Sequence, residues 1–563
     1  MRTTLRRLPA LIGAATVTGA AWIAGSAATV ASAADVPSAA FAVDPEHLET
    51  ATPIKHVVVI FDENVSFDHY FGTYPHAANP PGEPPFYPAP FTPKVNNLVT
   101  ANVLTDNPNL NPANGSAASN PFRLDRTQAS TTDQDHNYTP EQQAYDAGKA
   151  DLFPLNTGTS GSSGSGAFYT AAVVMGYFDG NTVTGLWNYA QHFAMSDNGH
   201  GAAYGPSTPG AIEVASGQTN GYQTVGPTPK TSAFIPDGAG GYTDMGDVDP
   251  AYDVCSSTTE NGQMLGNNIG DLLNAHHISW GGFMGGFNLS LTNANGTTGC
   301  ARSTTSAVTD TEETDYIPHH MWFQYYASTR NATHARPNSV WAIGHTYDQN
   351  GQQDPANHEY DVNDFYAAVQ AGNFPAVAYL KAPGYQDGHP GYSDPLDEQA
   401  WIVQVVNFIE QRPEWKDTAI IIDWDDSDGW YDHAFTTPTS PSFNATADQL
   451  DGPGVCGSGP PLDGIDGSPV NGRCGPGPRL PFFVISPYAK PNYVSHTLIT
   501  QASVVRFIED NWLHGERLGG GSFDATAGSI MDMFDFGPHF PNPPLFLSED
   551  DGTPVDRPTA SAP

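Results

Sequence analysis

The sequence predicts an α/β fold with a mainly parallel sheet. Two unbroken apolar runs, residues 56–61 and 419–422, show no alternation of polar and apolar residues, which is typical of strands buried on both faces of a parallel sheet. Helical patterns separate the strand patterns along the chain, as crossover connections require. The 57 glycines and 49 prolines predict long loops between few regular elements.

The first strand pattern, residues 56–61, leads directly into Glu63 and Asn64. Ser66 is placed to cap a short helix that follows, and Gly72 is placed to end it. Ligands of open α/β sheets bind just outside the carboxyl ends of the strands. Read alone, this acid and amide could equally be a solvated turn.

A second buried strand pattern has the same design. Residues 418–428, TAIIIDWDDSD, place Asp425 and Asp426 after an apolar run. If the two strand ends converge, Glu63, Asn64, Asp425 and Asp426 offer three carboxylates and an amide oxygen. Such hard oxygen donors favour a divalent cation. The sequence therefore predicts a metal site of unknown metal identity at this edge of the sheet.

Further elements follow from periodicity and capping. Asp394 is a suitable cap for a helix that starts at Pro395 and carries an apolar stripe through residue 409. It leads straight into the second acid-tipped strand. The remaining strands are predicted at residues 278–283, 374–380 and 480–486, and the remaining helices at residues 186–193, 269–277 and 500–512.

The first 33 residues predict that the protein is exported. Residues 1–33 have three arginines, an apolar segment and a small-residue cleavage site, which is typical of a signal peptide. No other run is long and apolar enough to span a bilayer. We expect a linker at residues 34–50, one domain with loop insertions at residues 51–537, and a poorly ordered C-terminal extension at residues 538–563.

The four cysteines and the charge narrow the possible environment and partners. An oxidising compartment favours two disulfides, and short loops favour Cys255 with Cys300 and Cys456 with Cys474 among three possible pairings.

The formal net charge of −39, with 21 Lys and Arg, argues against nucleic acid and anionic membrane surfaces as partners. The oligomeric state is not predicted.

Two segments carry a family resemblance. ENVSFDHYFGT at residues 63–73 and DWDDSDGWYDH at residues 423–433 resemble the first and late signature blocks of the bacterial phosphoesterase family, which includes phosphatidylcholine-type phospholipases C and a class of acid phosphatases. This family lies in the alkaline-phosphatase-like superfamily. The resemblance, over residues 54–536, implies a three-layer α/β/α sandwich with a mainly parallel central sheet and long loop insertions. It also implies a secreted, metal-dependent phosphoric ester hydrolase.

Ser207 lies between the two acid-tipped strands, in AAYGPSTPGAIEVASG. This segment resembles the family block in which a Ser or Thr after Gly-Pro is the nucleophile, so the resemblance implies a covalent phosphoserine at Ser207. Read from its residues alone, the segment is a turn. The family usually carries Asn and Arg shortly after the nucleophile, whereas this chain has Gly210 and Ala211.

Four histidines stand in segments that resemble family blocks. These are His136 in DQDHNYTP, the pair His319 and His320 in PHHMWFQYY, and His389 in DGHPGYSD. The resemblance implies that they surround the phosphate and that one protonates the leaving group. Adjacent residues cannot face the same way on a helix or strand, so one of the pair is expected only to hold a neighbour.

The late block contains both a substitution and candidate supporting residues. Asp425 and Asp426 form a DD pair where most relatives carry DE, and the acid phosphatase branch has DD there. We expect Asp432 and His433 to support the site rather than to bind the metal. In the first block Val65 replaces an arginine that is common in the family.

Alternative functions differ in class. Phosphomonoesters, phosphodiesters and phospholipid head groups all stay open as substrates. A sulfatase would share the fold, but its Ser/Cys-x-Pro-x-Arg motif lacks the arginine here, because Ala211 takes that position. A secreted binding protein that kept the fold and lost turnover is favoured by the missing Asn and Arg, and the intact set of acids argues against it.

Overall fold

The computed structural model describes residues 44–158, 167–226, 230–538 and 541–557, which belong to the unit Ala40–Pro563. The predicted signal peptide and residues 34–43 of the predicted linker lie outside the described residues. The proposed division of the chain therefore stays a prediction. In the part of the chain described, no helix is long and apolar enough to cross a bilayer.

A mixed, mainly parallel sheet forms the centre of the fold, as predicted. The strands are β1 (His56–Asp62), β2 (Ala194–His200), β3 (Trp280–Met284), β4 (Glu359–Asp361), β5 (Val377–Lys381), β6 (Thr418–Trp424), β7 (Arg479–Ile485), β8 (Tyr493–Ser495) and β9 (Ile499–Thr500). Their order in the sheet is β4-β3-β5-β1-β6-β7-β2-β8, and β9 also pairs with β2. Among these described strands, only β7 runs antiparallel to both of its neighbours, β6 and β2.

The helices pack in two groups, which makes the three-layer arrangement. The helices are α1 (Phe67–Phe71), α2 (Tyr138–Tyr145), α3 (Phe153–Asn156), α4 (Thr184–His192), α5 (Ser207–Ser216), α6 (Ile269–Ala275), α7 (Val362–Gln370), α8 (Pro395–Glu410) and α9 (Ala502–Trp512). α4 contacts α8, and α5 contacts α6 and α9. The central strands β1 and β6 are buried along their whole length, which is what a sheet covered on both faces requires.

The capping residues predicted for α1 and α8 are confirmed. The Ser66 side chain accepts a hydrogen bond from the His69 amide at the start of α1. Asp394 accepts from the amides of Leu396 and Asp397 at the start of α8. Side-chain caps satisfy amide groups that have no partner inside the helix, so these starts are fixed by local sequence.

β1 and β6 lie side by side in parallel. Their register pairs His56 with Thr418 and Asp62 with Trp424. Both strands therefore end at the same level, and the residues that follow them meet although 361 positions separate Asn64 from Asp425.

Two segments differ from the sequence expectation. Residues 194–200 form β2 despite their small and polar side chains, because the strand is paired with β7 on one side and with β8 and β9 on the other. The segment interpreted as a turn at Ser207 begins α5 instead. Pro209 lies in the first turn of α5, where its missing N–H costs no intrahelical bond.

Both predicted disulfides are confirmed, and they lie among the loops and short strands outside the central sheet. Cα–Cα separations are 5.3 Å for Cys255–Cys300 and 5.9 Å for Cys456–Cys474. The short strands are Phe122–Arg123, Gly176–Tyr177, Tyr222–Thr224, Phe234–Pro236, Tyr242–Asp244, Asp249–Pro250, Asn261–Met264, Ser303–Thr305 and Glu312–Thr314.

The C-terminal extension packs on the sandwich where the structure describes it, contrary to the expectation of poor order. Leu547 is 1% exposed and lies in the main hydrophobic core. Its amide donates to Asn407 Oδ1 at 3.1 Å, and Asn407 Nδ2 donates back to its carbonyl at 2.8 Å. A buried leucine and a reciprocal pair of hydrogen bonds hold this segment to α8.

We expect Leu547→Ala to lower the free energy of unfolding by about 2–4 kcal/mol, because it removes a buried side chain and leaves a cavity. The measurement is urea unfolding of the disulfide-intact protein. Leu155→Ala is the matched control, since Leu155 is 55% exposed, and it should leave the midpoint unchanged. Equal midpoints for the two variants would contradict the packing described for the extension.

Candidate active site

The hydroxyl of Ser207 lies at the meeting point of three predicted metal ligands. Its Oγ is 2.9 Å from Glu63 Oε2, 3.2 Å from Asp426 Oδ2 and 3.3 Å from Asn64 Oδ1. All four side chains are buried. Glu63 and Asn64 follow β1, Asp426 follows β6, and Ser207 is the first residue of α5. The structure thus brings together residues from three separate parts of the chain.

Several of these side chains are anchored through one polar atom and present the other. Asp425 Oδ1 accepts from the amides of Asn64 at 2.9 Å and Asp426 at 2.7 Å. Asp426 Oδ1 accepts from the amide of Asp428 at 2.6 Å, so its Oδ2 faces Ser207. Asn64 Nδ2 lies 3.3 Å from Asp428 Oδ1, so its Oδ1 faces Ser207. Hydrogen bonds to backbone amides and to Asp428 therefore orient these oxygens.

The buried carboxylates of Glu63, Asp425 and Asp426 would be stabilised by a nearby positive charge. Burial, and then the charge of neighbouring Asp425, raise the pKa of both Glu63 and Asp426. Asp425 Oδ2 is buried and has no hydrogen-bond partner among the described residues. Carboxylates that share a buried site are stabilised when a cation bridges them. The residues present therefore fit a hard divalent cation, with Glu63, Asn64, Asp425 and Asp426 as the set able to hold it.

Lys381 is a site residue that the sequence analysis missed. It is the last residue of β5, it is fully buried, and its Nζ forms an ion pair with Glu63 Oε1. Nζ also donates to the Phe61 carbonyl at 3.3 Å. Burial alone would lower the pKa of Lys381, but Glu63, Asp425 and Asp387 outweigh it and raise that pKa. A lysine that ends the strand next to acid-tipped β1 was the available signal.

His136 and His389 lie together on one side of Asn64. His136 Nε2 is 3.4 Å from Asn64 Nδ2, and its Nδ1 is 3.3 Å from Asp428 Oδ1. The two imidazole rings are 5.8 Å apart and nearly perpendicular. Burial lowers the pKa of His389. Burial acts in the same direction on His136, but the charges of Asp426 and Asp428 raise its pKa above the ordinary value.

The adjacent histidines His319 and His320 face different partners, as their adjacency predicts. His320 is buried, with Nδ1 3.2 Å from Glu63 Oε1, whereas His319 Nδ1 is 3.7 Å from Asp249 Oδ1. Their rings are 4.4 Å apart and perpendicular. Burial and the charge of His319 lower the pKa of His320. The structure therefore places His320 against the candidate metal ligands and His319 beside Asp249.

Glu141 joins the two loops that carry the candidate nucleophile and the acids. From α2, its Oε2 accepts from the Gly205 amide at 3.1 Å and its Oε1 from the Ser427 hydroxyl at 2.6 Å. Burial raises the pKa of Glu141 to about 7. The sequence analysis missed this residue, since an acid within a short polar helix gives no sign of its partners.

Asp432 and His433 belong to a neighbouring buried network. Asp432 pairs with Arg479 and accepts from the amide of Asp68 at 2.9 Å. His433 Nδ1 lies 2.5 Å from Asp68 Oδ2. Asp68 lies in α1 and Arg479 begins β7, so this network ties the segment after β6 to α1 and the sheet. Their described contacts fit the supporting role predicted for Asp432 and His433.

Gly210 packs directly against the backbone of Asp425. A β-carbon at residue 210 would lie 2.3 Å from the Asp425 carbonyl oxygen, closer than any real contact allows. Ala211 is buried as well. The start of α5 thus leaves no space for a side chain at residue 210.

Residues 54–513 match the Phosphoesterase family, so the chain belongs to this family. The family resemblance predicted from the sequence is thereby confirmed, and the central sheet described above confirms the predicted α/β fold.

Several relatives are named phospholipase C. The chain is 30% identical to the non-hemolytic phospholipase C of Pseudomonas aeruginosa over 148 residues, 26% of this chain and 21% of that protein. It is 24% identical to phospholipase C B of Mycobacterium tuberculosis over 516 residues, 89% of this chain and 80% of that protein. The chain thus matches about a fifth of the length of the Pseudomonas protein.

One solved structure is a distant match. It is the phosphonate monoester hydrolase SpPMH from Silicibacter pomeroyi, with 12% identity and a TM-score of 0.26, covering 62% of this chain and 72% of that chain.

We expect Gly210→Ala to displace Asp425, because the added carbon overlaps its carbonyl oxygen. Such overpacking should cost about 1–3 kcal/mol in unfolding free energy and reduce the divalent metal retained after purification. Elemental analysis and thermal unfolding measure the two effects. Gly185→Ala is the control, since the atoms nearest its added carbon belong to the Gln399 side chain, at 3.2 Å, and not to Asp425. Metal content equal in both variants would disprove the role assigned to Gly210.

We expect Lys381→Met to destabilise the metal-free protein by about 3–5 kcal/mol, because it leaves Glu63 buried without its ion-pair partner. Added divalent metal should raise the melting temperature of this variant more than that of wild type, since the ion replaces the lost charge. Lys149→Met, at an exposed lysine, should leave the melting temperature unchanged. A Lys381→Met protein as stable as wild type without metal would refute the ion pair's role.

Proposed function

We propose that this chain is a secreted, metal-dependent phosphoric ester hydrolase that acts through a covalent phosphoserine at Ser207. One observation carries the proposal: Ser207 Oγ lies within 3.3 Å of three oxygens from Glu63, Asn64 and Asp426. A buried hydroxyl surrounded by hard oxygen donors is the arrangement in which a metal and a nucleophile act together. Family membership supports the reaction class, and the two disulfides support export.

Glu63, Asn64, Asp425 and Asp426 would hold the divalent ion, which when bound favours the Ser207 alkoxide and polarises a phosphoryl oxygen. The protein supplies the orientation. Two backbone amides donate hydrogen bonds to Asp425 and fix its side chain. Lys381 and His320 are both close to Glu63 Oε1, so the other oxygen of Glu63, Oε2, faces Ser207.

Ser207 is positioned for attack by α5. As the first residue of a ten-residue helix, it lies where the helix dipole favours negative charge. Its Oγ attacks phosphorus in line with the departing alkoxide, and the P–O bond to the alkoxide breaks as the bond to Oγ forms. Water then hydrolyses the phosphoserine and returns Ser207 to its starting state.

Among the four predicted histidines, His136 is the best placed to move the proton. Its Nδ1 is held between the Gln134 carbonyl at 2.9 Å and Asp428, and its Nε2 faces Asn64. It protonates the departing alkoxide and then takes a proton from the attacking water. His389 lies next to it, His320 Nδ1 lies 3.2 Å from Glu63 Oε1, and His319 Nδ1 lies 3.7 Å from Asp249 Oδ1.

The substrate class is inferred from the relatives and the charge. Relatives named phospholipase C favour a phosphodiester such as a phospholipid head group. A net charge of −39 disfavours anionic lipids, so a zwitterionic head group such as phosphocholine suits this chain best. The DD pair at Asp425 and Asp426 favours a second candidate, phosphomonoester hydrolysis as in the acid phosphatase branch.

We expect Ser207→Ala to lower turnover by several orders of magnitude, since it removes the covalent route. Acid quenching of wild type during turnover should trap the transferred group on Ser207, phosphocholine from phosphatidylcholine and phosphate from p-nitrophenyl phosphate, and peptide mass spectrometry detects either adduct. The substrates are phosphatidylcholine and p-nitrophenyl phosphate. A chelator should abolish activity on both, and divalent metal should restore it.

Ser216→Ala is the matched control, because Ser216 is a buried serine at the other end of α5 and should keep activity near wild type. Near-normal turnover by Ser207→Ala would overturn the phosphoserine and leave a metal site that activates water directly. A protein that binds metal but hydrolyses neither substrate would support the binding-protein alternative.

A further inference from the structure

The β1–β6 pairing also brings donor atoms together at the opposite end of the sheet. His56 is the first residue of β1, and it pairs with Thr418, which directly follows Asp417. A ring nitrogen of His56 and carboxylate oxygens of Asp417 and Glu46 all lie within 4.8 Å of one another. Glu46 comes from the short 3₁₀ helix Pro45–His47 that precedes β1. Seven strand residues, roughly 20 Å, separate this group from Glu63.

Two buried atoms in this group have no partner. His56 is 2% exposed, and its Nδ1 donates to the Pro375 carbonyl at 2.9 Å. That bond leaves Nε2 as the nitrogen with a free lone pair, and no described residue satisfies it. Asp417 Oδ1 is likewise buried without a hydrogen-bond partner among the described residues. A histidine that donates one ring N–H to a carbonyl and offers the other nitrogen is the usual state of a metal ligand.

The group lies beside a cavity of about 350 Å³, which both Glu46 and His56 line. Glu414 lines the same cavity, so a third carboxylate contributes negative potential. His56 is held in place on its other side, because its ring stacks on Phe374 at 4.3 Å. The stacking and the Pro375 hydrogen bond together fix the orientation of the imidazole.

Lys416 occupies only part of this group. Its Nζ is 2.7 Å from Glu46 Oε1 and 2.5 Å from Asp417 Oδ2, which leaves one oxygen of each carboxylate. The Lys416 side chain is 62% exposed, so it can turn into solvent when another cation binds. Three carboxylates against one lysine leave the group with excess negative charge.

We propose that Glu46, His56 and Asp417 form a second metal site, for a divalent transition-metal ion such as Zn²⁺, separate from the proposed active site. One imidazole nitrogen and two carboxylate oxygens are ligands that Zn²⁺ accepts, and water can complete its coordination. The bound ion would link the 3₁₀ helix Pro45–His47, which carries Glu46, to the first residue of β1 and to the residue that precedes β6. Its role is to stabilise the fold, and it takes no part in ester hydrolysis.

The test is equilibrium dialysis of the full chain against buffered Zn²⁺, followed by metal analysis. To separate the two sites, each measurement is made in wild type and in Asp426→Asn, which weakens the proposed active-site ligand set. We expect Asp417→Asn and His56→Phe each to lose one equivalent of Zn²⁺ relative to its parent. The rise in melting temperature on adding Zn²⁺ to the Asp426→Asn parent should disappear in the double variants.

His47→Ala is the control for surface binding, because His47 is an exposed neighbour of Glu46 and should keep the full equivalent. Asp417→Asn should also keep wild-type hydrolytic activity. If His56→Phe fails to fold, Asp417→Asn decides the result, since it preserves size and the contact with Lys416. Unchanged Zn²⁺ stoichiometry in Asp417→Asn, or no Zn²⁺ bound by the Asp426→Asn parent, would overturn the proposal.

Discussion

The parallel register between β1 and β6 is the constraint on which the candidate site depends. Pairing His56 with Thr418 fixes Asp62 beside Trp424, and hence Glu63 and Asn64 beside Asp425. The apolar residues of both strands are fully buried, so a slip would move a whole set of side chains out of the core. The packing of apolar side chains in β1 and β6 thus determines the positions of Glu63 and Asp425, which are not themselves part of that packing.

The same packing holds charges where they are unfavourable. Burial raises the pKa of Glu63, Asp426 and Asp423, and only Lys381 among the nearest described side chains is a permanent cation. Folding must therefore offset the desolvation of several carboxylates. Buried carboxylates that repel one another lower the stability of the folded protein. A cation that binds between them relieves this repulsion, so the same arrangement raises the affinity for the cation.

The sequence predicted those parts of the structure that local signals specify. Apolar runs identified β1 and β6, and side-chain caps identified the starts of α1 and α8. β2 was missed because its polar residues form a strand only through their neighbours in the sheet. Lys381 and Glu141 were missed for the same physical reason. Their roles depend on partners that are distant in sequence, Glu63 for one and Gly205 with Ser427 for the other.

The charge distribution determines how a phosphate group could be attracted to this protein. Two of its few cations, Lys381 and Arg479, are fully buried and already paired with carboxylates. With a net charge of −39, the surface repels anions at long range. In the proposed reaction the attraction must therefore arise locally, from the bound ion, the start of α5 and a protonated His136. In that proposal a divalent ion bound before the substrate would supply the largest local positive charge.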